Sequence, residues 1–61
     1  MNLKEYATEK FKNVRDRAIV LREMLKRGFS EDSEIHGASF MKNWEEVVKD
    51  LEKMYADGLA K

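Results

Sequence analysis

Phe40-Met41-Lys42-Asn43-Trp44-Glu45-Glu46-Val47-Val48-Lys49-Asp50-Leu51-Glu52-Lys53-Met54-Tyr55 is the stretch whose spacing decides the fold class. Its apolar residues Phe40, Trp44, Val47, Leu51 and Met54 recur at steps of 4, 3, 4 and 3. Side chains three and four apart share one side of an α-helix, so this spacing marks a single buried face. Met41, Val48 and Tyr55 widen that face by a flanking stripe. Gly58 follows, and a glycine just past the last periodic residue supplies the left-handed position that ends a helix. Leu59 is then placed to pack back on Met54. The stretch predicts a helix over about 40–57.

Upstream lies Ser30-Glu31-Asp32-Ser33-Glu34-Ile35-His36-Gly37-Ala38-Ser39. A serine followed by carboxylates suits a helix start, because the N-terminal end of a helix is positive. Gly37 reads as a stop and Ser39 as a new N-cap, which predicts a connector over about 28–39 holding a one-turn helix at about 31–36. A second reading begins the later helix near Ser33 and runs it through Gly37, at a cost of about 1 kcal/mol for the interior glycine.

Further back, Ala7, Phe11, Val14, Ala18, Leu21 and Leu25 recur at steps of 4, 3, 4, 3 and 4. Asn2 reads as the N-cap, with Glu5 placed for a capping box. Gly28 ends the segment, and Phe29 after it can pack on Met24. The spacing predicts one long helix over about 3–27. The endings Met24-Leu25-Lys26-Arg27-Gly28-Phe29 and Met54-Tyr55-Ala56-Asp57-Gly58-Leu59 match at an offset of 30 residues, and read as one capping motif used twice.

Two long helices joined by a short helical turn make an antiparallel helical hairpin, an all-α fold and a single domain over residues 1–61. In such a hairpin one register pairs Phe11 with Met54, Val14 with Leu51, Ala18 with Val47, Leu21 with Trp44 and Leu25 with Phe40. The flanks agree, setting Lys10 opposite Asp57 and Arg17 opposite Asp50. The layout resembles the antiparallel helical hairpins that dimerise into four-helix bundles, a likeness of layout with no shared motif. A hairpin alone leaves a wide apolar face wet, and each large side chain left exposed forfeits roughly 1.5–3 kcal/mol. Homo-oligomerisation is therefore expected, with Met41, Trp44, Val48, Leu51, Tyr55 and Ile19 at the interface.

Composition narrows the function. With 61 residues the chain holds one domain, and with no cysteine it has neither disulfides nor thiolate metal sites. A partner chain is then the remaining means of stabilising a small fold. The longest apolar run, Ala18-Ile19-Val20-Leu21, is too short to cross a bilayer. The first residues carry no apolar leader pattern. A cytoplasmic protein with no membrane partner is the expectation.

Net charge is zero, yet residues 1–29 carry eight basic and four acidic side chains and residues 30–61 carry four basic and eight acidic. Either the halves attract each other within the fold, or the basic half faces an anion. Lys12, Arg15, Arg22, Lys26 and Arg27 are the candidates for nucleic acid or another anion. Against that role, Glu9, Asp16 and Glu23 repeat at heptad spacing on the same helix. Tyr6, Val20, Met24 and Phe29 are candidates for a partner-protein patch, since Met and aromatic residues are enriched in such surfaces; as a structural set they read first as core between copies.

Catalysis needs a positioned acid, base or nucleophile in a pocket that excludes water. His36 is the single histidine, and Glu34 lies two residues from it, the wrong spacing for one helical face. Neither a glycine-rich phosphate loop nor an H-E-x-x-H or EF-hand pattern occurs. The sequence predicts a non-enzymatic regulator, adaptor or inhibitor without a cofactor, acting on another protein as a homo-oligomer. Two alternatives stay open: a nucleic-acid-binding bundle that uses the basic segment, and an oligomer that holds a small anionic ligand between its subunits.

Overall fold

A computed structural model of the chain describes residues 1–58. It is all-helical, with α1 spanning Leu3–Lys10, α2 spanning Val14–Lys26 and α3 spanning Ala38–Ala56. Among the described residues there is no β-strand, only one isolated bridge between Asn2 and Glu34. Helix α2 packs on both α1 and α3.

The long helix expected over 3–27 is two helices. Helix α1 ends at Phe11, whose backbone is extended while its N–H still donates to the Ala7 carbonyl (2.8 Å). Asn13 then caps α2, its Oδ1 accepting from the N–H groups of Arg15 (2.9 Å) and Asp16 (3.3 Å). Asp16 adds a carboxylate in the first turn, where the helix end is positive. A capping asparagine followed by an acid three residues later starts a helix as readily as it continues one. A straight helix over 3–27 would run about 36 Å and carry α1 away from the rest of the chain. The break brings α1 back against α2.

The connector holds no one-turn helix; residues 31–36 contain a turn and the Glu34 end of the isolated bridge. Ser33 N–H donates to the Ser30 carbonyl (3.0 Å) and Ser30 N–H to Ser33 Oγ (2.8 Å). The next carbonyls are used elsewhere. Leu3 N–H donates to the Ser33 carbonyl (2.8 Å) and Lys4 N–H to the Glu31 carbonyl (3.0 Å). Asn2 N–H reaches Glu5 Oε1 (3.1 Å) and Glu5 N–H reaches Asn2 Oδ1 (2.9 Å), completing the expected capping box. Every N–H that the start of α1 leaves unpaired thus has a partner. The connector is fastened to the start of the chain, and its carbonyls cannot also build a helix of their own.

Both glycine boundaries follow from backbone geometry. Gly28, at φ +97°, closes α2: its N–H donates to the Leu25 carbonyl and Phe29 N–H to the Met24 carbonyl, both at 3.1 Å. That pair of bonds is the Schellman arrangement expected of the glycine. Gly37, at φ +94°, is the N-cap of α3, so the cap falls there and not on Ser39, which lies inside the helix. The helix α3 ends with Gly58 N–H on the Tyr55 carbonyl (3.0 Å). The expected packing of Leu59 on Met54 lies outside the described residues.

The buried core comprises Leu3 and Ala7 of α1, Val20 and Met24 of α2, and Phe40, Trp44, Val47 and Leu51 of α3. No polar or charged residue among the described ones is buried. Aromatic rings link α1 and the residue after Gly28 to α3: Tyr6 lies 4.7 Å and Phe11 5.8 Å from Trp44 between centroids, and Phe29 meets Phe40 edge-on at 5.3 Å. In α3 the buried residues are those its spacing marked. In α2 they are not: Val14 is 68% and Leu25 47% exposed, and Ala18 is exposed too. The buried stripe of α2 is displaced by one residue, which is about 100° around the helix. The flanking charges move with it. Asp50 meets Arg27 (3.5 Å) and not Arg17, and Lys10 Nζ lies 5.4 Å from the centroid of the Tyr6 ring on its own helix. No helix among the described residues is long and apolar enough to cross a membrane.

Candidate interaction site

Folding α1 back changes which residues a partner can reach. Trp44 and Leu51, expected at an interface between copies, are buried within one chain, Trp44 under Tyr6 and Phe11. Val48, Tyr55 and Ile19 are half-buried against the core, and Met41 is 38% exposed. The expected partner patch is core in the same way. Val20 and Met24 have no exposed surface, and Tyr6 and Phe29 are half-buried with their rings on Trp44 and Phe40.

The basic residues divide. Lys12, Arg15, Arg22 and Lys26 are exposed. Arg15, Arg22 and Lys26 sit on one side of α2, because steps of seven and four residues return to one face of a helix. Arg22 (3.8 Å) and Lys26 (3.1 Å) share the carboxylate of Glu23. Arg27 leaves this set. Its guanidinium bridges to Glu46 (3.2 Å) and Asp50 (3.5 Å) and donates to Asn43 Oδ1 (3.4 Å), tying the end of α2 to α3. Such partly exposed pairs contribute tenths of a kcal/mol each, so their effect is on register more than on stability.

Two surfaces remain after the core is closed. One is the outer stripe of α2: Val14, Ala18 and Leu25 exposed, Leu21 half-buried, with Arg15, Arg22 and Lys26 along its edge. The other is a shallow groove of about 300 Å³ on α3, lined by Trp44, Glu45, Val48, Lys49 and Glu52. Apolar spacing assigns the first stripe to the core and leaves Glu45 and Glu52 unmarked as a rim. A signal was present for both. Helix α2 carries apolar residues at Ile19, Val20 and Met24 beside the Val14–Leu25 stripe, one stripe more than a single core contact uses. In α3 the flanking apolar stripe runs directly beside two carboxylates.

No group of three or more metal-binding side chains occurs among the described residues. His36 is exposed in the connector. No family model, curated protein or solved structure matches the chain.

Proposed function

We propose that this chain is a non-enzymatic helical protein of the cytoplasm that acts by protein–protein contact as a homo-oligomer. The observation that carries the reading is apolar surface left over once the core is closed. Val14, Leu25 and Met41 are 68%, 47% and 38% exposed, and half-buried Val48 lines the α3 groove. Single exposed apolar residues are ordinary on any protein. Here they fall on two helix faces, each edged by charge of one predominant sign, which is how interaction surfaces combine adhesion with selectivity. The small size of the chain supports the same reading, because folds of this length gain stability from a partner.

Light scattering across a dilution series, with helicity followed in parallel, tests the homo-oligomer. The expected result is a mass of at least twice the chain that falls on dilution. The mass of one chain at every concentration overturns it.

One observation favours the nucleic-acid reading instead: Arg15, Arg22 and Lys26 share an exposed face of α2, with Lys12 exposed just before the helix. That reading predicts salt-sensitive retention on a polyanion column, lost when Arg15 and Arg22 are both replaced by Glu. Retention unchanged by the replacement overturns it.

A further inference from the structure

The two leftover surfaces match each other. On α2, Arg15 and Arg22 lie seven residues apart beside the apolar stripe; on α3, Glu45 and Glu52 lie seven residues apart beside Trp44 and Val48. At 1.5 Å per residue both pairs are spaced about 10.5 Å along their helices. In each helix the charged pair immediately follows residues of the apolar stripe, Val14 and Leu21 in α2, Trp44 and Leu51 in α3. The charges therefore flank the same side of both stripes, and two helices that meet antiparallel bring those flanks face to face. One register sets Arg22 opposite Glu45 and Arg15 opposite Glu52, and the same register sets Leu25 beside Met41 and Ala18 beside Val48. Within one chain this meeting does not occur. Helix α2 turns Val20 and Met24 toward the core, and the end of α2 meets α3 through Arg27.

We propose that the α2 outer stripe of one copy docks in the Trp44–Val48 groove of a second copy, guided by Arg22 against Glu45 and Arg15 against Glu52. This rests on the homo-oligomer reading and assigns its interface. Arg22 is 63% exposed at its side chain and only loosely held by Glu23 at 3.8 Å. Arg15 already has a contact within its own chain and adds the second across the interface. Lys49, on the groove wall, is the one like charge the arriving α2 meets there. Made twice about a two-fold axis, the contact closes a dimer; made once, it leaves complementary ends and the assembly grows with concentration.

A charge-swap experiment tests it on the full chain. Mass is measured by sedimentation equilibrium for the wild type, for Arg15→Glu/Arg22→Glu, for Glu45→Lys/Glu52→Lys, and for an equimolar mixture of the two variants. Circular dichroism checks that each variant keeps its helices, which the exposed positions allow. The proposal expects each variant alone to associate at least about tenfold more weakly, because like charges then oppose each other. The mixture should recover association, since every docked pair regains opposite signs. A wild type that associates while the reversals leave it unchanged, or a mixture that stays dissociated although both variants are folded, overturns the docking alone. A wild type of one-chain mass throughout overturns the homo-oligomer reading and the docking with it.

Discussion

Helices α3 and α2 pack side by side but hold their apolar residues in different ways. Helix α3 has one broad stripe, with Phe40, Trp44, Val47 and Leu51 buried at its centre and Val48 and Tyr55 half-buried at its edge. Helix α2 has two neighbouring stripes, Val20 and Met24 inside, Val14 and Leu25 outside. A helix with one stripe has a single way to face a core. A helix with two can turn either inward, and tertiary contacts make the choice. Three contacts bias α2 here: the Asn13 cap that starts it afresh, the packing of α1 on it, and the Arg27 bridges at its end. The unused stripe then becomes surface that a partner can reach.

The largest effect is expected on the α3 side. Trp44 is 6% exposed, meets the Tyr6 ring of α1 at a tilt and stacks on Phe40 of its own helix. Trp44→Ala is expected to cost about 3–5 kcal/mol, a large part of the stability of a domain this small. Chemical denaturation of the variant checks it. A loss under about 1 kcal/mol, the size of an ordinary mutation, would mean that α1 does not close over the indole.

The sharper comparison uses adjacent residues of α2. Met24 has no exposed surface while Leu25 is 47% exposed. Met24→Ala is expected to cost about 2–5 kcal/mol. Leu25→Ala, measured at a concentration low enough to keep the chain dissociated, is expected to stay within about 0.5 kcal/mol. The reverse order would restore the stripe that the heptad spacing marks and turn α2 by about 100°.

How much of this was legible depends on the range of the cause. The Asn2–Glu5 box and the Gly28 ending are set by residues within one turn, and both read directly from the sequence. The face of α3 read correctly because its single stripe admits no rival. Asn13 followed by Asp16 is a local signal too, but the apolar steps run on through Phe11 and Val14 as if no break occurred. The connector was illegible for a different reason: its Glu31 and Ser33 carbonyls serve Lys4 and Leu3, partners nearly thirty residues away in the chain. At the candidate site, exposure of Lys12, Arg15, Arg22 and Lys26 followed from their chemistry. The outward turn of Val14 and Leu25 did not, because periodicity alone cannot rank two stripes one residue apart.

The Asn13 cap is where the break between α1 and α2 can be tested. Asn13→Ala removes the acceptor for the N–H groups of Arg15 and Asp16 and is expected to cost about 1 kcal/mol. Backbone chemical shifts across residues 10–14 report whether the helix then runs on. A continuous helix formed without loss of stability would show that the cap does not hold α1 and α2 apart.

The smallest effect bears on register. In the hairpin register Asp50 faces Arg17, whereas in the structure it lies 3.5 Å from Arg27. These alternatives differ by ten residues along α2, nearly three turns, so one coupling energy discriminates between them. A double-mutant cycle of Asp50→Ala with Arg27→Ala is expected to give a coupling of about 0.2–1 kcal/mol, as for other partly exposed ion pairs. The cycle of Asp50→Ala with Arg17→Ala is expected to give none beyond error. Both should be run at low ionic strength, where screening is least, and the first coupling should shrink when salt is added. Coupling to Arg17 in place of Arg27 would move α2 along α3 and return Leu21 and Leu25 to the core. The basic edge would then lie against its own α3, and the surface left for a second copy would be Val20 and Met24 in place of Val14 and Leu25.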